Sequence, residues 1–66
     1  MDPHDFRAAL ERLGFTQNGF AKFTDSGERT VRRWAIDGAP RAIGMLLAVM
    51  QAHGLSAAEV ERLLDG

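Results

Sequence analysis

Arg29, Arg32 and Arg33 fall in one short run, Glu28-Arg-Thr-Val-Arg-Arg-Trp34, and carry the clearest chemistry in the chain. A guanidinium fork presents parallel N–H donors, and guanine offers a matching acceptor pair, O6 and N7, in the major groove of B-DNA. On a helix, Arg29 and Arg33 stand at i and i+4 on the outer face, while Val31 and Trp34 turn inward. Arg32 flanks that face and suits a base or a phosphate. Glu28, near the helix start, can accept from cytosine N4 and repels a phosphate brought too close, which favours selectivity over affinity. These four are the candidate base contacts. Gln17, with the free amides of a helix start, Lys22 and Arg41 are the candidate phosphate contacts that fix a docking angle. Arginines on a helix are more often a solvated face, so the elements around them decide between the two readings.

Little other chemistry competes. His4 and His53 are far apart in a chain without cysteine, so the spacing of a zinc site is missing and no metal is expected. His53, near a helix C-terminus, has a simple explanation in the helix dipole. The absence of a glycine-rich phosphate loop after a strand, and of any nucleophile pattern, argues against an enzyme, a cofactor and a small-molecule substrate. The 66 residues are read as one domain, 1–66. A domain of this size buries only about 60% of the surface of its unfolded chain, which leaves little room for a catalytic cleft.

The elements that must position these side chains read as helices throughout. Asp2-Pro3-His4-Asp5 supplies a cap, a proline for the first turn and a carboxylate that complements the helix dipole. A first helix starts there, buries Phe6, Ala9, Leu10 and Leu13, and stops at Gly14. Helix 2, about 16–23, can be capped by Thr16 and turns Phe20, Ala21 and Phe23 inward. Gly19 weakens it by about 1 kcal/mol unless a close helix contact needs the missing side chain. Thr24-Asp25-Ser26-Gly27 reads as a tight corner, aspartate tolerating left-handed angles and serine or glycine capping the next helix. Helix 3, about 28–36, carries the arginines and sets Trp34 in the core rather than on the surface as a stacking platform.

After the loop Asp37-Gly38-Ala39-Pro40, Pro40 suits the first position of a fourth helix with Ile43, Leu46, Leu47 and Met50 on one side, closed by Gly54. Ser56-Ala-Ala-Glu59 is a capping box for a C-terminal helix, about 56–65, with Val60, Leu63 and Leu64 behind it. Met45 and Val49 lie off the main stripe of helix 4. The fifth helix either folds back over them or meets another subunit, so Met45, Val49, Val60, Leu63 and Leu64 form the candidate dimer surface.

A formal net charge of −1 is unlike that of strongly basic nucleic-acid binders, but the charges are unevenly spread. Lys22, Arg29, Arg32, Arg33 and Arg41 face only Asp25, Glu28 and Asp37 in the middle of the chain, while Glu59, Glu61 and Asp65 outnumber Arg62 at its end. Binding depends on the field at one face. No basic-then-apolar segment follows Met1 and no apolar run approaches about 20 residues, so the expectation is a soluble, cytoplasmic protein with no membrane partner.

From Phe15 to Trp34 the chain resembles the helix-turn-helix of the Cro and phage-repressor type, also called the XRE family. The matching positions are Thr16, Gln17, Phe20 in place of the usual leucine, Ala21, Phe23, Thr30, Val31 and Trp34, followed by the glycine-containing loop Gly38 to Pro40. The corner departs from it: where the family has an apolar residue, glycine, another apolar residue and serine or threonine, this chain has Thr24, Asp25, Ser26 and Gly27. The resemblance implies an all-α, lambda-repressor-like compact bundle of about five short helices, with helix 3 as the recognition helix. It also implies a small bacterial or phage transcription regulator, a repressor-type protein that occupies an operator in double-stranded DNA and performs no chemistry, with a homodimer as a further expectation. A protein-interaction module that keeps this scaffold and uses its C-terminal apolar faces is the alternative, since fold alone does not fix function.

Overall fold

In the computed structural model, which describes all 66 residues, five helices follow one another without a strand: α1 (Pro3–Leu13), α2 (Gln17–Thr24), α3 (Glu28–Asp37), α4 (Arg41–His53) and α5 (Ala57–Asp65). The protein is a small all-α bundle. Local capping chemistry sets most of the boundaries. The Asp2 carboxylate accepts from the Asp5 amide at 2.7 Å, with Pro3 at the first helical position. Thr16 accepts from the Gly19 amide at 2.9 Å, so it stands outside α2 as its cap and the helix begins at Gln17. A Cβ on residue 19 would lie 2.9 Å from Thr16 Oγ1, so the glycine serves the cap and no helix–helix contact. Ser56 and Glu59 complete the reciprocal capping box at the start of α5. Pro40 is likewise a cap and not the first turn of α4, because its ψ of 158° is extended.

The corner between α2 and α3 has the geometry of a left-handed helix stop although no glycine occupies the left-handed position. Asp25 takes φ 55° and ψ 40°, and it alone among the non-glycine residues has a positive φ. Its amide donates to the Lys22 carbonyl at 3.3 Å and the Ser26 amide to the Ala21 carbonyl at 2.9 Å, the paired bonds of a Schellman stop. The same pair recurs at Gly14 and Gly54. Thr24 Oγ1 adds bonds to the Phe20 carbonyl and to Ser26 Oγ, each 2.9 Å long, so the turn is tight. Gly27, without a side-chain bond, precedes α3.

Behind the corner lies an aromatic core. Phe6 and Phe20 are fully buried with ring centroids 5.8 Å apart, edge to face, and Trp34 meets Phe6 in the same manner at 6.1 Å. Phe15 and Phe23 join Phe20 at 5.2 and 6.2 Å. Such edge-to-face pairs add about 0.5–1.5 kcal/mol each beyond the burial of their area. Val31, Ala35 and Leu47 close the cluster, so the inner face of α3 is held against α1 and the indole of Trp34 belongs to the core.

Two contacts far apart in sequence hold the end of α3. The Arg7 guanidinium on α1 donates to the Ala35 carbonyl in the last turn of α3, a turn with no basic residue of its own. Beyond it the Met1 nitrogen donates to the Ala39 carbonyl at 3.1 Å, and the Ala39 amide donates to the Met1 carbonyl at 2.8 Å.

Of the two placements open to the last helix, folding back over Met45 and Val49 is not the one observed. α5 leaves α4 at a bend of 107° and buries no residue fully. Met45 and Val49 on α4 are exposed, and Leu63 and Leu64 on α5 are 72% and 80% exposed, with Val60 half-buried. No single helix is long and apolar enough to cross a membrane.

Candidate nucleic-acid interface

The packing of Val31, Trp34 and Ala35 leaves the opposite face of α3 to solvent, and Arg29 and Arg33 stand on it with Arg32 at its flank, whereas Glu28, three residues before Val31, lies on the inward side at the open start of the helix. Glu28, Arg29, Arg32 and Arg33 are all exposed. Arg29 and Arg32 have no carboxylate partner, whereas Arg33 Nε lies 3.4 Å from Asp37 Oδ2, one turn on. That pairing uses the inner nitrogen of the guanidinium. Both terminal nitrogens remain free to form the fork that two acceptors require.

The candidate phosphate contacts are more dispersed. Lys22 is exposed in the last turn of α2, and Arg41 is exposed in the first turn of α4. Gln17 is half-buried at the start of α2, where it lines a shallow groove with Arg7, Leu10, Glu11 and Phe15. None of the three makes a side-chain hydrogen bond or an ion pair.

Two residues of this face lie outside the sequence-derived set. Ile36 is 73% exposed and lines one open groove with Arg29, Arg32, Arg33 and Asp37. Its i+3 spacing from Arg33 and i+7 spacing from Arg29 put it on the arginine side, a signal present in the sequence but masked by its apolar type. Asp37 reads as loop in the sequence, yet it ends α3 and partners Arg33.

Comparison of the chain with protein-family models, curated proteins and solved structures gives no match. The site therefore rests on its own chemistry.

Elsewhere, Asp2, His4 and Asp5 bring potential metal-ligand atoms within 4.8 Å of one another on the exposed first turn of α1. The Asp2 carboxylate caps the helix, and His4 Nδ1 lies 3.4 Å from Asp5 Oδ1. This cluster is accounted for as a helix start. An open depression beside α5, lined by Leu13, Met50, Gln51 and Leu55 among others, carries an exposed Arg12–Gln51 hydrogen bond of 3.3 Å and no pair of groups suited to catalysis.

Proposed function

We propose that the chain is a sequence-specific binder of double-stranded DNA, a transcription regulator that lays α3 in the major groove and acts by occupancy. The observation that carries this reading is the division of α3 into two faces, Val31, Trp34 and Ala35 in the core and Arg29, Arg32 and Arg33 exposed on a rigid support. A helix about 10–12 Å across fits a groove about 12 Å wide, and ten residues rise about 15 Å, enough to span several base pairs. Arg29 and Arg33 take guanine edges, Arg32 a base or a phosphate, and Glu28 a cytosine amino group. Lys22, Arg41 and the start of α2 at Gln17 meet the backbone on either side.

Self-association belongs to the proposal. Four of the five large exposed apolar residues, Met45, Val49, Leu63 and Leu64, lie on α4 and α5, and none of them lines the groove of the arginines. A dimer formed there would present two copies of α3 to half-sites about 34 Å apart. The same apolar faces favour a second reading, a module that holds a different protein.

Fluorescence-anisotropy titration with a pool of random duplexes at two salt concentrations, followed by sequencing of the retained DNA, tests the proposal. An enriched motif with affinity falling steeply as salt rises is expected. Arg29→Ala with Arg33→Ala should then cost about 1–3 kcal/mol per base contact. Unchanged affinity in the double variant refutes the residue assignment, and no retention at low salt favours the protein-interaction module.

A further inference from the structure

We infer that Ile36 reads the C5 methyl group of a thymine beside the guanine taken by Arg33, so that α3 selects a guanine–thymine neighbour pair and not guanine alone. This rests on the DNA-binding reading above and names the sequence chemistry that the site prefers. Ile36 is 73% exposed, on a helix whose other apolar side chains are turned inward: Val31 and Ala35 are buried and Trp34 is half-buried in the core. It has no packing role to explain it. Its neighbours in the open groove are Arg29, Arg32, Arg33 and Asp37, so it is an apolar spot inside a charged surface.

The charge of that surface selects the occupant. Three guanidinium groups against one carboxylate favour a polyanion, and the base edges of unmodified DNA offer one methyl group in the major groove, that of thymine. Three residues advance about 4.5 Å along a helix, close to the ~3.4 Å between successive base pairs. Arg33 and Ile36 therefore reach adjacent pairs when α3 lies along the groove. A β-branched side chain is stiff about χ1 and loses little freedom on meeting the methyl group.

The test uses the duplex selected by the full chain. Each thymine is replaced in turn by deoxyuridine, which lacks only the C5 methyl, and Kd is measured by anisotropy for the wild type and for Ile36→Ala. At one thymine, next to the guanine whose replacement no longer matters in Arg33→Ala, deoxyuridine should weaken the wild type by about fourfold and leave Ile36→Ala unchanged. The side chain is exposed, so the variant should melt at the wild-type temperature. Equal deoxyuridine effects in both proteins at every position, or none at any position, overturn the inference and leave the DNA-binding reading standing. Failure of the wild type to retain any duplex at low salt overturns both.

Discussion

Met1 and Ala39 form a reciprocal pair, each backbone nitrogen donating to the other's carbonyl, at 3.1 Å from Met1 and 2.8 Å from Ala39. This pair joins the start of the chain to the loop between α3 and α4, and two glycines leave space for it. A Cβ on Gly38 would lie 2.9 Å from the Met1 carbonyl oxygen, and one on Gly44 would lie 3.2 Å from Met1 Cβ. The end of α3 is thus fixed by a residue 38 positions away along the chain.

Gly38→Ala should destabilise the fold strongly. Residue 38 has φ 109° and ψ 156°, a region open in practice to glycine alone, and the added methyl also meets the Met1 carbonyl. The cost expected is about 1–3 kcal/mol, or a fall in thermal midpoint of roughly 5–15 °C by circular dichroism. Gly44→Ala is the control. It replaces glycine within a helix, a gain of about 1 kcal/mol offset by the tight approach to Met1 Cβ, so its midpoint should stay near that of the wild type.

The corner gives a prediction in both directions. Asp25 occupies left-handed angles that glycine adopts without steric cost, and its carboxylate lies at the negative end of the α2 dipole. Asp25→Gly should therefore stabilise the protein by about 0.5 kcal/mol even after the added freedom of the unfolded chain. Asp25→Ala should destabilise it by about 1 kcal/mol. Urea denaturation of the pair would contradict the assignment if both variants moved in the same direction.

The caps and inward faces were legible because each depends on residues three or four positions apart: Asp2 with Asp5, Ser56 with Glu59, Val31 with Trp34. The corner was legible at Asp25 as a left-handed position, but not the hydroxyl bonds of Thr24 that tighten it. Arg7 at the end of α3 and Met1 at Ala39 were invisible to local pattern, since each joins elements that only the folded chain brings together. The apolar pattern of α5 marked Val60, Leu63 and Leu64 as a face for α4 or for another subunit, and such a pattern does not separate the two. In the structure Leu63 and Leu64 are left exposed. At the site, residue type drew attention to the arginines and away from Ile36, which shares their face.

Asp37→Ala should separate discrimination from stability. Its pair with Arg33 is exposed and contributes at most about 1 kcal/mol to folding, so the thermal midpoint should barely move. In the proposed complex, holding Nε of Arg33 restrains the fork that would take guanine. Without that restraint, competition titrations should show severalfold weaker discrimination against a replaced guanine. Binding to random duplex should rise slightly at low salt as a negative charge leaves the face. Unchanged discrimination would show that the Arg33 fork is set by the DNA alone.

Leu63→Lys with Leu64→Lys should convert the proposed dimer into monomers without unfolding the chain. Both side chains are at least 72% exposed and belong to a helix with no fully buried residue, so the fold does not depend on them. Sedimentation velocity should give a single monomeric species, and affinity for a two-half-site duplex should fall towards that for one half-site. A wild-type protein that sediments as a monomer at binding concentrations would remove the dimer from the proposal.

Lys22→Ala and Arg41→Ala should weaken binding to all duplexes alike. Both side chains are exposed in helical turns flanking α3 in the chain, and neither is engaged in an ion pair, so their loss leaves folding unchanged. A phosphate contact releases a bound counterion. Each substitution should therefore lower the slope of log K against log salt by about 1, while the ranking of duplex sequences stays the same. Arg29→Ala should instead compress that ranking at one position. If Lys22→Ala or Arg41→Ala altered sequence preference and left the salt slope intact, that residue would read a base, and α3 would have to dock at a different angle.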